Sequence, residues 1–249
     1  MVFIGSTPSH PVIESFFNIP PEDSIDFVRW RISLNKKSYS VKINYGIGKP
    51  NTSGFINNGK KAEANGLFSR LENTIILKSG SDSILLQELN PAILVFVDGN
   101  NLPLVGNAGW SFILNNEDAV VGKVKSVNLS FPVLKDSMAF AGRTPCHYFS
   151  FADPGCIKLK WDVTLYTEKQ TQQTGRFKLR LTTFRNDGYQ YGDWKIIQPA
   201  NGSLIYQLSF NNKTIHLLKL SDDVLIFTDD KGNLMQGDEN FSYVLNRYN

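Results

Sequence analysis

Cys146, His147 and Cys156 are the residues of this 249-residue chain whose types and spacing could do chemistry. The chain has two cysteines, ten positions apart, and thiolates are the ligands that soft metals such as Cu(I) prefer. In an oxidising compartment such a pair is a natural local disulfide, whereas in a reducing one it remains two thiols or joins a metal site. The residues alone leave these possibilities open.

The segment around Cys146 belongs to a motif that occurs twice. The sequence FIGSTPSH at 3–10 and the sequence FAGRTPCH at 140–147 are identical at five of eight positions. Ser9 in the first copy stands where the second copy has Cys146. The duplication therefore preserves the motif but not its thiol.

The conserved part of the motif suggests a backbone role. Gly5 and Gly142 permit conformations that other residues resist, while Pro8 and Pro145 fix φ and bias the preceding threonine to extended geometry. We therefore expect the motif to be a turn that closes one end of a folded unit. Two histidines at equivalent places are expected to be hydrogen-bonded loop residues: His10 and His147.

A longer repeat extends over most of the chain and predicts duplicated architecture. Residues 84–115 align with residues 215–246 at an offset of 131 without a gap, and ten of these 32 positions are identical. The same offset aligns VRWRISL at 28–34 with LKWDVTL at 159–165. The two halves are therefore expected to share one fold.

The repeated segments alternate apolar and polar residues, which is the period of a half-buried β-strand. In the segments at 28–34 and 159–165, Trp30 and Trp161 are expected to point inward. The charged residues between the apolar positions are expected to face water: Arg29, Arg31, Lys158, Lys160 and Asp162. Asp98 and Asp229 stand in turn-like sequences, where aspartate supports a hairpin.

These strands predict an all-β protein of two tandem small antiparallel barrels. Each half holds seven or eight short strand-like segments joined by short turns, and closing the sheet removes exposed edges. The first barrel is assigned to residues 1–118. Residues 119–249 are assigned to a linker strand, suggested by VKSVNLSF, and the second barrel.

The markers of the second half resemble a known family. Five segments follow one another in an order that resembles the N-terminal domain of the NlpE copper-resistance lipoproteins. These segments are FAGRTPC, GCIKLKWDVTLY, GDWKI, LIFTDDKGNLM and SYVLNR. The resemblance covers residues 140–247 and, through the repeat, extends more weakly to residues 3–116. It implies lipocalin-like, calycin-type barrels in a bacterial cell envelope, with copper handling, surface sensing or stress signalling as associated roles.

One departure from that family affects the cysteines. The family has a tight CxxC, whereas ten positions separate Cys146 and Cys156 here. With the resemblance in view, a structural disulfide that pins a loop across the barrel mouth is favoured, since a loop this short closes at small entropic cost. A copper site of Cys146, His147 and Cys156 is the first alternative, and two unpaired thiols are the second.

Composition restricts the partners. A net charge of +3 is too small to argue for nucleic acid, and no run of about 18 apolar residues predicts a membrane helix. The sequence begins without a secretory signal pattern, which taken alone predicts a cytoplasmic protein. The family resemblance instead predicts a periplasmic or outer-membrane-tethered protein whose leader has been removed, although no lipobox cysteine is visible.

The predicted function is non-enzymatic binding or sensing. The sequence contains no GxSxG, HExxH, P-loop or dinucleotide-binding fingerprint, and His216 is expected to be a strand residue without a chemical role. An alternative is a carrier that holds a small apolar ligand in a barrel cavity lined by Trp30 and Trp161. We expect a monomer without a resident cofactor, whose partner is a small ligand or an envelope protein.

Overall fold

A computed structural model describes most of the chain. The described residues are 1–119, 122–124, 136–152, 154–167, 174–182, 188–197 and 203–248. The linker strand predicted from VKSVNLSF falls at 124–131, and all of it except Val124 lies outside these residues.

The first barrel is a closed sheet in which each strand pairs antiparallel with the next and the last returns to the first. Its strands are β1 Val2–Thr7, β2 Phe27–Asn35, β3 Ser38–Gly46, β4 Lys60–Leu71, β5 Thr74–Ser79, β6 Asp82–Asn90, β7 Ile93–Val97 and β8 Ile113–Asn116. A short helix α1, Pro11–Phe16, follows β1, and a 3-10 turn, Ile56–Asn58, precedes β4.

The second barrel repeats this closed arrangement, with its last strand paired to its first. Its strands are β9 Ser137–Thr144, β10 Leu159–Thr167, β11 Thr174–Thr182, β12 Tyr189–Ile197, β13 Ile205–Phe210, β14 Lys213–Lys219, β15 Val224–Thr228 and β16 Val244–Arg247. The predicted fold, two tandem antiparallel all-β barrels, is confirmed.

The two barrels share one strand register. Trp30 of β2 pairs with Gly5 of β1, and Trp161 of β10 pairs with Gly142 of β9. Both tryptophans are buried, as the alternation predicted. The layout of inward and outward side chains has therefore survived the duplication.

Aromatic side chains fill the inside of each barrel. The Trp30 ring lies 5.0 Å from that of Phe96, and the Trp161 ring lies 4.8 Å from that of Phe227, the residue that aligns with Phe96 in the repeat. Aliphatic residues from the other strands surround these pairs in two separate buried clusters. Burial of such side chains is the main source of stability for each barrel.

The glycine motif is part of the sheet and not the turn that the sequence suggested. Gly5 lies inside β1 and Gly142 inside β9. A Cβ atom on Gly5 would lie 2.7 Å from the backbone oxygen of Ile113, and one on Gly142 would lie 2.3 Å from that of Val244. Glycine is required because the first strand approaches the last strand closely where the barrel closes.

The chain divides into two compact units, each of which contains one barrel. The first unit comprises Met1–Gly106, Phe112–Val120 and Gln236–Ser242, and the second comprises Asn107–Ser111, Val121–Met235 and Tyr243–Asn249. Of the helices that the structure describes, none has the length and apolar composition needed to cross a lipid bilayer.

Candidate functional site

Cys146 and Cys156 form a disulfide bond, with their Cα atoms 5.9 Å apart. The bond closes the loop that leads from β9 towards β10, at one end of the second barrel. This pairing confirms the disulfide that was favoured over free thiols. Disulfides persist in oxidising surroundings, so the bond indicates a location outside the reducing cytoplasm.

The disulfide-bonded loop, residues 146–156, places aromatic side chains against the barrel core. The ring of Phe149 lies 5.0 Å from Trp161 and 5.5 Å from Phe227, and the ring of Phe151 lies 6.5 Å from Phe210. Tilted and edge-to-face pairs at these distances are favourable. The loop therefore covers the core, as predicted for a loop across the barrel mouth.

Helix α1 covers the corresponding end of the first barrel, where Ser9 replaces the cysteine. The ring centroid of Phe16 lies 6.4 Å from that of Tyr39, and the ring centroid of Phe17 lies 5.7 Å from that of Trp30. The sequence pattern did not indicate this helix, because six residues are too few to show a 3.6-residue period. Its one visible signal was Pro11 at the first helical position, where proline is favoured.

The two repeated histidines are hydrogen-bonded, as predicted. The Nδ1 atom of His10 accepts a hydrogen bond from the backbone N–H of Val12 and caps α1. The Nδ1 atom of His147 lies 3.3 Å from the hydroxyl of Tyr243. Burial lowers the pKa of His10, and the nearby Glu14 carboxylate offsets part of that shift.

Two of the three predicted copper ligands are bonded to each other in the structure. The sulfur atoms of Cys146 and Cys156 are bonded to each other and offer no thiolate in this state. Within the described ranges, no group of three or more His, Cys, Asp and Glu side chains is arranged to hold a metal ion. A copper site at Cys146, His147 and Cys156 stays a prediction for the reduced protein.

A groove of 310 Å³ lies at the mouth of the second barrel, beside the disulfide-bonded loop. We name it the mouth groove. One wall is aromatic and comes from the loop: Tyr148, Phe149 and Phe151. The rest of the lining comes from β14, β15 and the segment after β15, where Ile215, Phe227 and Met235 are apolar. Its charged and polar side chains include the following: Lys213, Thr214, His216, Asp229 and Asp230. Such a site suits a small molecule with an apolar part and a polar end.

A second groove, of 400 Å³, also has His216 in its lining. We name it the side groove. Ile197, Ile205 and Leu218 contribute apolar surface to it, and Lys231 lies at its polar edge. The two grooves share His216, Asp229 and Asp230. Trp30 and Trp161, the predicted cavity residues, line neither groove and lie in the barrel cores.

His216 is the imidazole that lines both grooves, beside the carboxylates of Asp229 and Asp230. Its Nε2 atom lies 3.1 Å from Nε2 of Gln207 on β13. Burial lowers its pKa, and the carboxylates of Asp230 and Asp229 offset part of this shift. His216 therefore favours its neutral form, in which the ring can both donate and accept a hydrogen bond.

Asp229 holds the turn, as the sequence predicted. Its Oδ1 atom accepts hydrogen bonds from the backbone N–H groups of Lys231 at 2.9 Å and Asn233 at 2.7 Å. Burial would raise its pKa, but the hydrogen bonds from Asn233 and Lys231 outweigh burial and lower it. Asp98 accepts the equivalent bonds in the first barrel, from Asn100 and Leu102.

The sequence contains one signal for this polar site. His216 aligns with Leu85 of the first copy, and Asp230 aligns with Gly99. The second copy therefore has two polar side chains where the first has an apolar residue and a glycine. Which of these side chains share a groove could not be read from the chain alone.

Comparisons with known proteins identify no relative. No protein-family model, no curated protein and no solved structure matches this chain.

Proposed function

We propose that this protein is a non-enzymatic binding protein of the bacterial cell envelope, and that it takes a small amphipathic ligand in the mouth groove of the second barrel. One observation carries the proposal: a disulfide-bonded aromatic loop forms one wall of a 310 Å³ groove whose remaining lining includes charged and polar side chains. The resemblance of residues 140–247 to the NlpE family supports the envelope location and a sensing role.

The chemistry of the groove supports an amphipathic ligand. Tyr148 is 41% exposed and offers its ring to an apolar group. The Lys213 ammonium lies 4.8 Å from the Phe151 ring centroid, close enough for a cation–π contact that holds the cation at the edge of the aromatic wall. The lining also contains two carboxylates, Asp229 and Asp230, of which Asp229 accepts hydrogen bonds from the turn. An anionic group on the ligand would bind Lys213, while His216 would supply hydrogen bonds.

Binding of 8-anilino-1-naphthalenesulfonate tests the site, because this probe carries an aromatic body and one anionic group. We expect saturable fluorescence enhancement by the folded protein. Tyr148→Ala should weaken binding several-fold and Lys213→Glu should weaken it further. Leu67→Ala, which removes a 73% exposed side chain from the first barrel, serves as the matched control and should leave binding unchanged. Equal binding by all four proteins would contradict the proposal.

The state of the cysteines in the cell tests the location. Cells treated with acid to trap thiols, and then with an alkylating reagent, should yield protein whose two cysteines are unmodified. Two modified cysteines, together with one equivalent of copper bound by the reduced protein, would instead favour the copper-binding alternative. A ligand retained inside a barrel next to Trp30 or Trp161 would favour the carrier alternative.

A further inference from the structure

The outer face of the second barrel carries a row of cations on β11. Arg176, Lys178 and Arg180 alternate with Phe177 and Leu179, which are fully buried in the core. Because side chains alternate across a strand, all three cations point outward. Alternate residues are about 6.5 Å apart, so the row extends over roughly 13 Å.

Tyrosines flank this row on the neighbouring strands. Tyr189 and Tyr191 of β12 pair with Arg180 and Lys178, and Tyr166 of β10 pairs with Arg176. Tyr189 is 46% exposed and Tyr191 is 60% exposed. Large exposed aromatic side chains are typical of interaction surfaces, because one ring can offer both apolar area and a hydroxyl.

Contacts within this face hold some of its side chains in place. The Lys178 Nζ atom lies 3.6 Å from the centroid of the Tyr189 ring, and the Arg180 guanidinium lies 5.9 Å from it. Asp193, the nearest carboxylate on β12, is paired with Arg176 at 3.1 Å. Asp162 of β10 pairs with Arg180 in the strand register, and its carboxylate accepts a hydrogen bond from the Tyr248 hydroxyl. Among the residues that the structure describes, no carboxylate forms an ion pair with Lys178 or Arg180.

The first barrel shows that the fold does not require this surface. At the positions equivalent to Arg176, Lys178 and Arg180, the first barrel has other residues: Ser38, Ser40 and Lys42. Lys42 pairs with Glu63, at the position that Tyr189 occupies in the second barrel. Ser40 pairs with Asn65, at the position of Tyr191. The same closed sheet thus forms without three alternating cations on its third strand and without tyrosines on the strand that follows.

We propose that the basic tyrosine face of β10, β11 and β12 binds a linear acidic polysaccharide. A row of cations over roughly 13 Å fits a polymer with repeated negative charges, whereas a compact anion would reach one or two of them. Tyrosine rings offer flat apolar surfaces to the C–H faces of sugar rings. The disulfide favours an oxidising compartment, and the nucleic-acid alternative is distinguished by the test below.

The test uses the full chain with polygalacturonate, neutral dextran and a single-stranded oligothymidylate as probes in titration calorimetry. We expect saturable binding of polygalacturonate that weakens with added salt, no binding of dextran, and weaker binding of the oligonucleotide. The double variant Lys178→Gln/Arg180→Gln should weaken polygalacturonate binding roughly five- to tenfold. Tyr191→Ser should weaken it without changing the net charge.

Lys36→Gln/Lys37→Gln provides a control with the same loss of charge at an exposed turn of the first barrel. It should bind polygalacturonate as the unmodified protein does, and near-UV circular dichroism should show all variants folded. Equal weakening by both double variants would overturn the proposal, since binding would then follow net charge. Absence of polygalacturonate binding, or tighter binding of the oligonucleotide, would also overturn it. Binding of the naphthalenesulfonate probe at the mouth groove is independent of these outcomes.

Discussion

Trp161 donates a hydrogen bond from its indole Nε1 to the hydroxyl of Thr144, at 2.9 Å, inside the second barrel. Trp30 and Thr7 form the same bond at the same distance in the first barrel. The two threonines belong to the repeated glycine-x-threonine-proline motif. The motif therefore links the first strand to the second through a buried hydrogen bond, as well as allowing barrel closure at its glycine.

Replacing the threonine with valine should leave the buried indole N–H without its acceptor. We expect Thr144→Val to lower the free energy of unfolding of the second barrel by about 1 to 3 kcal/mol, and Thr7→Val to have a similar effect on the first. Urea unfolding followed by tryptophan fluorescence measures this loss. Thr144→Ser retains a hydroxyl and should recover much of the stability; a loss equal to that of the valine variant would show that the hydrogen bond is not the cause.

Adding a methyl group at the closing glycine should force β9 away from β16. Because a Cβ on Gly142 would lie 2.3 Å from the Val244 oxygen, we expect Gly142→Ala to cost about 1 to 3 kcal/mol of unfolding free energy. Gly99→Ala is the control, since a Cβ there meets nothing within 4 Å. If Gly142→Ala and Gly99→Ala unfold at the same temperature, the added methyl group costs no stability at the closing strands and the prediction is wrong.

Reduction of the disulfide should destabilise the second barrel. The short loop between Cys146 and Cys156 predicts a loss of about 2 to 3 kcal/mol from chain entropy. Denaturant unfolding with and without a reducing agent measures the loss. The variant Cys146→Ser/Cys156→Ser should already show it and should not respond to the reducing agent. If the reducing agent destabilises that variant as well, the effect does not come from the disulfide.

Acidification should weaken the fold through His216. Its folded-state pKa is lowered from 6.5, so the folded protein binds a proton less readily than the unfolded chain. Stability should therefore be unaffected by this residue above about pH 6.5 and should fall as the pH drops towards the folded-state pKa. The lowered pKa of His10 acts in the same direction.

Two measurements check this pH dependence. An NMR titration of the imidazole should place the midpoint of His216 below 6.5. His216→Gln should reduce the loss of stability between pH 7 and pH 5, because glutamine keeps a polar side chain next to Gln207 but does not titrate. An imidazole midpoint above 6.5 would contradict the burial that the structure assigns to His216.

Sequence reasoning located the strands more reliably than the segments between them. Alternation placed Trp30 and Trp161 inside their barrels, because a strand that is half-buried must repeat every two residues. The same reasoning gave no sign of helix α1, which is too short to show a period. It also took Gly5 and Gly142 for turn residues, because the need for glycine comes from a neighbouring strand more than a hundred residues away.

The sequence by itself determined that the chain forms two equivalent β-barrels, since the repeat and the alternation of apolar residues are properties of neighbouring positions. It also identified Cys146 and Cys156 as a pair that could bond. Tertiary structure alone decided that a helix closes one barrel and a disulfide-bonded loop the other. It also decided that His216 lines two grooves and that tyrosines of β10 and β12 stand beside the cations of β11. The physical reason is strand register: it brings together side chains from distant parts of the chain, and a small net charge cannot reveal where the charges collect.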